Sequence, residues 1–173
     1  LEMCDFCEII LWYERVPCDR TVCIFVVLSQ IKGEKMKNCA VILAGGEGKR
    51  MKSDKPKTLS EVLGRPMLCW VMSALRKAGI DDICVVKGFK KECVEEYLST
   101  LDFSVESVFQ AERLGTGHAV MMAKDFLKKH SGNVVILNGD APFMDSKTIE
   151  DSLKAHIENG CAATVISAKV DDP

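Results

Sequence analysis

The sequence predicts an α/β fold, a Rossmann-like and mostly parallel sheet with helices on both faces. Three observations carry this reading. Short apolar runs of strand length alternate with segments of helical periodicity from residue 39 to residue 170. A glycine-rich, cation-rich loop follows the first of these strands. Two more polar motifs, at 110–118 and 138–142, stand where later strands end. Strand–helix alternation implies right-handed crossovers between parallel strands, and such sheets bind ligands beyond the carboxyl ends of their strands.

Taken in order, Cys39 to Ala44 is an unbroken apolar run and reads as a buried strand. The glycine loop follows, and Thr58–Gly64 is a short connector ending at Arg65. Pro66 suits the first turn of a helix. Leu68, Val71, Met72 and Leu75 then recur at i, i+3, i+4, i+7, with Gly79 as the stop. Asp82–Val86 is the second strand. Lys90–Ser99 is a helix with Cys93, Val94, Tyr97 and Leu98 inside, and Ser104–Gln110 alternates as a third strand. Gln110–His118 opens a helix running to about His130. Asn133–Leu137 is the most apolar strand. Ser146–Glu158 is a helix with Ile149, Leu153, His156 and Ile157 inside and Gly160 as its stop, and Cys161–Val170 is the last strand.

At 173 residues, with a formal net charge of −2 and 28% charged residues, the chain offers neither a basic field for nucleic acid nor an acidic tail. No apolar run approaches the roughly 18 residues of a membrane span. Residues 1–35 differ from the rest and hold four of the nine cysteines, Cys4, Cys7, Cys18 and Cys23. Their spacing is poor for a zinc knuckle and no histidine accompanies them. The run Val22–Leu28 is short and follows an acidic start without a small-residue cleavage site, so it is not expected to be a signal peptide. Lys32-Gly-Glu-Lys-Met36 back-translates to a purine-rich stretch ahead of ATG, like a bacterial ribosome-binding site. Residues 1–35 are therefore expected to be a non-native or disordered extension, translated from upstream DNA, with the domain at 36–173. The remaining cysteines, Cys39, Cys69, Cys84, Cys93 and Cys161, occur singly and are expected to be reduced thiols of a cytoplasmic protein without a catalytic role.

The loop carries Lys49, Arg50, Lys52, Lys55 and Lys57 against Glu47 and Asp54. Glycines Gly45, Gly46 and Gly48 let backbone approach an anion, and loop N–H groups with the cations suit a polyphosphate. A Walker A loop is excluded because Gly48-Lys49 is followed by Arg50, and a dinucleotide fingerprint because Met51 stands where its third glycine belongs. A solvated basic loop is the plainer alternative. Asp140, ending an apolar strand, suits Mg2+, which takes one or two carboxylates plus phosphate oxygens; a turn aspartate is the alternative. Gln110 with Gly115-Thr116-Gly117 offers an amide and exposed backbone fitted to a pyrimidine base, and Thr116 serves equally as a helix cap. His118, in a first helical turn, reads as structural. No nucleophile–base arrangement and no tuned acidic pair stands out. Phosphoryl or nucleotidyl transfer needs little beyond positioning, cations and metal.

With LAGGEGKRMKSDKPK, QAERLGTGHA and NGDAP in this order, the stretch from Cys39 to Pro173 resembles a family of sugar nucleotidyltransferases. Specifically, it resembles the uridylyltransferase domain of the bacterial bifunctional N-acetylglucosamine-1-phosphate uridylyltransferase/glucosamine-1-phosphate acetyltransferases. The resemblance implies the nucleotide-diphospho-sugar transferase fold and a reaction between UTP and N-acetylglucosamine 1-phosphate that releases pyrophosphate. It further implies that Leu43, Ala44, Gly45 and Gly46 contact the nucleotide, with Arg50 and Lys57 on its phosphates as the catalytic cations. Gln110, Gly115 and Thr116 would read uracil and ribose, Asn138 and Gly139 would border the substrate, and Asp140 would hold Mg2+. Asn138 departs from the tyrosine that some members carry. The family continues past Pro173 with sugar-binding residues, a second metal ligand and a trimer-forming acetyltransferase domain. The fold is therefore expected to be incomplete at its C-terminus and this stretch inactive alone. The alternatives are another sugar-1-phosphate nucleotidyltransferase, using glucose 1-phosphate or dTTP, and a catalytically silent nucleotide-binding domain.

Overall fold

The computed structural model describes residues 21–29, 37–48, 55–112 and 114–169. Arg50, Val170 and the cysteines Cys4, Cys7 and Cys18 lie outside them. The described chain forms strand β1 at Thr21–Ser29 and β2 at Cys39–Ala44, then a single 3-10 turn at Lys57–Leu59. A two-residue hairpin follows, β3 at Glu61–Val62 and β4 at Arg65–Pro66. Helix α1 spans Met67–Lys77, β5 Asp82–Lys87, α2 Lys91–Ser99 and β6 Glu106–Phe109. Helices α3 at Thr116–Met122 and α4 at Lys124–Leu127 precede β7 at Asn133–Asn138, α5 at Ser146–Glu158 and β8 at Ala163–Lys169.

Six strands make one sheet in the order β6-β5-β2-β7-β1-β8. The pairs β6–β5, β5–β2 and β2–β7 are parallel, and β1 runs antiparallel to both neighbours. Strand β2 shows why the sheet is layered on both sides. Ala40, Ile42 and Ala44 face a core shared with Leu68, Val71, Met72 and Leu75 of α1 and Ile149 and Leu153 of α5. Cys39, Val41 and Leu43 face the opposite way, toward Ala119 and Val120 of α3 and Phe126 and Leu127 of α4. A strand buried on both faces must be apolar throughout, as this one is. Truncating a side chain in such a core, Leu75→Ala for instance, costs about 2–5 kcal/mol.

Several expectations change in detail. Thr21–Ser29 falls inside the segment expected to be non-native or disordered, and disorder does not describe these nine residues: Phe25 to Ser29 pair with β7, and Val27 is fully buried. The helix expected through His130 is two short ones, parted at Ala123, whose N–H turns back to the Val120 carbonyl. The third strand is shorter than 104–110. Helix α1 begins one residue after Pro66, which caps it in an extended conformation. The connector holds the β3–β4 hairpin, tied to α1 by Trp70 Nε1 donating to the Val62 carbonyl at 2.8 Å. Ile157 is 53% exposed, because His156 occupies the inward position at that end of α5. Helix α5 is capped as its sequence suggests, Asp145 Oδ1 accepting from the Thr148 N–H at 2.8 Å.

All five single cysteines are free, and Cys39 and Cys84 are buried. Burial pushes both of these thiols up to about 12, which keeps them protonated and unreactive. Among the described residues no helix is long and apolar enough to cross a membrane.

Candidate functional site

Strand order reverses beside β2: the chain moves outward through β5 and β6 and then returns to lay β7 on the other side. A crevice opens outside the carboxyl ends of strands at such a point. Here an open cleft of about 410 Å3 sits there, floored by Leu43, Gly45 and Gly46 after β2, with Asn138 and Asp140 after β7. The Gly139 N–H donates to the Leu43 carbonyl at 2.9 Å, so the two strand ends are locked together where they meet the cleft.

One side of the cleft is charged. Lys57 Nζ donates to Asp140 Oδ2 at 2.5 Å, joining residues 83 positions apart in the sequence. Pro56 stiffens the entry to the 3-10 turn that presents Lys57, and Leu59 N–H closes that turn on the Pro56 carbonyl. Gly48 has φ +61, and a Cβ there would lie 2.8 Å from Lys57 Cβ, so glycine alone fits the left-handed backbone against the lysine stem. Next to Lys57, Thr58 is 3% exposed. Its Oγ1 is the buried side-chain polar atom without a hydrogen-bond partner among the described residues, and the residue lines the cleft. An orphaned buried hydroxyl is uncommon enough to mark a position completed by something else.

The other side is neutral. Gln110 is 6% exposed, and its backbone N–H donates to the Lys87 carbonyl at 2.9 Å, extending the β5–β6 ladder by one rung. Its side-chain Nε2 donates to the Gly115 carbonyl at 3.2 Å and lies 3.1 Å from His118 Nδ1. Gly45 is packed against this group: a Cβ there would come within 3.2 Å of Gln110 Oε1. From β5, Gly88 presses on Gly45 from behind, since a Cβ on Gly88 would meet the Gly45 carbonyl oxygen at 2.7 Å. Lys87 anchors that loop, its nearly buried ammonium donating to Ser107 Oγ at 2.9 Å and pairing with Glu95 at 2.5 Å. The ion pair holds the Glu95 carboxyl below its ordinary range.

The geometry sorts the residues picked from the sequence. Leu43, Gly45, Gly46, Lys57, Gln110, Gly115, Thr116, Asn138 and Asp140 all line the cleft. Ala44 is fully buried on the opposite face of β2. Gly139 is also buried, tucked between Thr58 Cγ2 and the Leu43 carbonyl, where it supports the strand end. Sequence reasoning missed Thr58 and Ala119 as lining residues. The signal for Thr58 was its place beside Lys57, but burial without a partner is invisible before folding.

Asp140 is the carboxylate of the cleft, and among the described residues no group of three or more His, Cys, Asp or Glu side chains gathers around a metal position. A single carboxylate beside a glycine-rich loop and Lys57 fits Mg2+, which completes its shell with phosphate oxygens and water, and does not fit an all-protein cage.

The position of the cleft defines a ligand-binding α/β domain of the doubly wound kind. Residues 40–172 match the MobA-like NTP transferase domain, and the chain belongs to that family. Among curated proteins it is 49% identical over 138 residues to the bifunctional protein GlmU of Clostridium beijerinckii, covering 80% of this chain and 30% of that protein. It is 46% identical over 134 residues to the protein of the same name from Acetivibrio thermocellus, covering 78% and 28%. The chain thus spans about a third of the length of these relatives. Two solved structures share the fold. UDP-glucose pyrophosphorylase from Acinetobacter baumanii has a TM-score of 0.62 at 24% identity, covering 73% of this chain and 54% of that one. A UDP-glucose pyrophosphorylase complexed with UDP-glucose has a TM-score of 0.60 at 16% identity, covering 73% and 55%.

Proposed function

We propose that this domain transfers a uridylyl group from UTP to N-acetylglucosamine 1-phosphate. The observation that carries the proposal is the division of one cleft into a Lys57–Asp140 pair and a buried, cleft-lining Gln110 amide. A phosphate oxygen of the sugar phosphate attacks the α-phosphorus of UTP, the bond from that phosphorus to the bridging oxygen breaks, and pyrophosphate leaves. Lys57, with Arg50 from the glycine loop, binds the phosphates and stabilises charge on the leaving group. Leu43, Gly45 and Gly46 carry the nucleotide, Gln110 reads the base, and Gly115 and Thr116 border the base and ribose. Asp140 holds Mg2+, which supplies charge neutralisation at the phosphates when bound. Identity at 49% and 48% of 138 matched residues with two bifunctional GlmU proteins supports this substrate choice.

The same proposal places the domain at 36–173 within a cytoplasmic, bifunctional enzyme of peptidoglycan precursor synthesis. That enzyme is trimeric through a further acetyltransferase domain. A second reading, transfer to glucose 1-phosphate, is favoured by the fold shared with UDP-glucose pyrophosphorylases. The test is pyrophosphate release by the full-length natural protein with UTP, Mg2+ and either sugar phosphate. Faster release with N-acetylglucosamine 1-phosphate is expected. Faster release with glucose 1-phosphate selects the second reading, and no release with either overturns both.

A further inference from the structure

Gln110 has one amide, and the fold decides which end of it a ligand meets. A backbone carbonyl only accepts hydrogen bonds, so the end 3.2 Å from the Gly115 carbonyl must be the amide nitrogen. The same nitrogen is 3.1 Å from His118 Nδ1. Its two protons are then both engaged, and Nδ1 must present a lone pair, which puts the ring proton of neutral His118 on Nε2. Among the described residues Oε1 has no hydrogen-bond partner, and it lies against the Cβ-free side of Gly45 in the cleft wall. The ligand therefore meets an acceptor and no donor.

We propose that His118 is a positioning residue that makes the cleft select pyrimidines carrying a proton on ring N3. This deepens the uridylyl reading above and rests on it. Uracil and thymine offer N3–H to Oε1. Cytosine presents a lone pair at N3, which would face the lone pairs of Oε1 across a nearly dry contact. His118 acts by holding the nitrogen end away from the ligand. Without that acceptor only the Gly115 carbonyl opposes a half turn of the amide, so the flipped form, which exposes a donor suited to cytosine, gains population. A buried polar mismatch of this kind separates ligands by roughly 10-fold to 100-fold.

The experiment measures binding of UTP, dTTP and CTP to the full-length natural protein by calorimetry with Mg2+ present, so that the ratio of affinities, not turnover, is read. The wild type is expected to bind UTP about 100-fold more tightly than CTP. His118→Phe keeps a ring but removes the acceptor and should lower the UTP/CTP ratio about tenfold. His118→Ala does the same without the bulk, should the larger ring disturb folding. His118→Asn places Oδ1 where Nδ1 was and should restore the ratio to within about threefold of wild type. The dTTP arm separates thymine from uracil as the imide source, and its ratio to CTP should fall in step. Equal weakening of UTP and CTP by His118→Phe and His118→Ala, leaving the ratio unchanged, would reduce His118 to a structural residue and overturn the inference alone. Failure of the wild type to bind either uridine or thymidine triphosphate would overturn the uridylyl reading and the inference with it.

Discussion

On one side of the cleft, Lys57 and Asp140 are held 2.5 Å apart with both side chains partly exposed, 41% and 32%. On the other, Gln110 is nearly dry, uncharged, and fixed at its nitrogen end by two neighbours. Charges in partial contact with water act over several ångströms and discriminate poorly between phosphates. A buried amide acts only at contact distance, and rejects a mismatched partner because the mismatch cannot be repaired by solvent. On the proposed reading, turnover and base choice are separable in this site: the charged side would govern the first and the neutral side the second.

Substitutions should divide along the same line. The largest effect is expected from Lys57→Ala or Asp140→Ala in the full-length protein, a fall in pyrophosphate release of roughly a hundredfold or more at saturating substrate. Release near the wild-type rate in both variants would break the assignment of the charged side. Gln110→Ala should raise KM for UTP about tenfold to a hundredfold with a smaller change in kcat, as for an interaction used in binding. A kcat loss matching that of Lys57→Ala would erase the distinction between the sides.

Thr58 lies where the comparison can be sharpened. Thr58→Val removes the unpartnered hydroxyl, so the ligand-free protein should gain about 1 kcal/mol in urea denaturation, while UTP affinity falls severalfold. A destabilised variant with unchanged affinity would mean that the hydroxyl serves the fold.

The smallest effect on the site should come from His156, which is buried between α5 and β8 with Nδ1 2.8 Å from Thr164 Oγ1. Burial holds this imidazole below its ordinary value of 6.5. The unfolded chain therefore takes up a proton near pH 6.5 that the folded chain refuses until lower pH. Stability from this group is full above pH 6.5 and is lost as pH falls toward the folded value. Urea midpoints should drop from pH 7.5 to pH 5.5, less steeply in His156→Gln, while the UTP/CTP affinity ratio of that variant stays at the wild-type value.

Much of this was legible before folding, for reasons visible in particular residues. An apolar run such as Cys39–Ala44 has no other use than a strand covered on both faces, and Leu68, Val71, Met72 and Leu75 mark one stripe of a helix. The cleft residues were legible because a parallel sheet brings its strand ends to one edge, so motifs distant in sequence had a single place to meet. What escaped depended on neighbours. Ile157 and His156 both suit the inner stripe of α5, and only the position of β8 decides between them. Gly139 stood in a ligand motif, yet the Leu43 carbonyl and Thr58 turn it into a spacer. The hairpin at 61–66 is too short for any periodicity. Helical pattern through 116–130 gave no sign of the break at Ala123.

Strand β1 has a consequence for how the sheet comes together in time. It is the sole link through which β8 reaches the rest of the sheet among the described residues, with Val27 paired to Val135 on one side and Thr164 on the other. Its partners on both sides are remote in sequence, whereas β2 and β5 lie much nearer one another along the chain. Non-local pairing must wait for closure of the long loops between its partners. The edge therefore zips last and frays first, and amide exchange should run fastest in β8, slower in β1 and slowest in β2 and β5. Slow exchange throughout β8 would show that the edge is as firmly seated as the centre. Opening of that edge would leave the strand ends at Leu43 and Asn138, and so the cleft, still assembled.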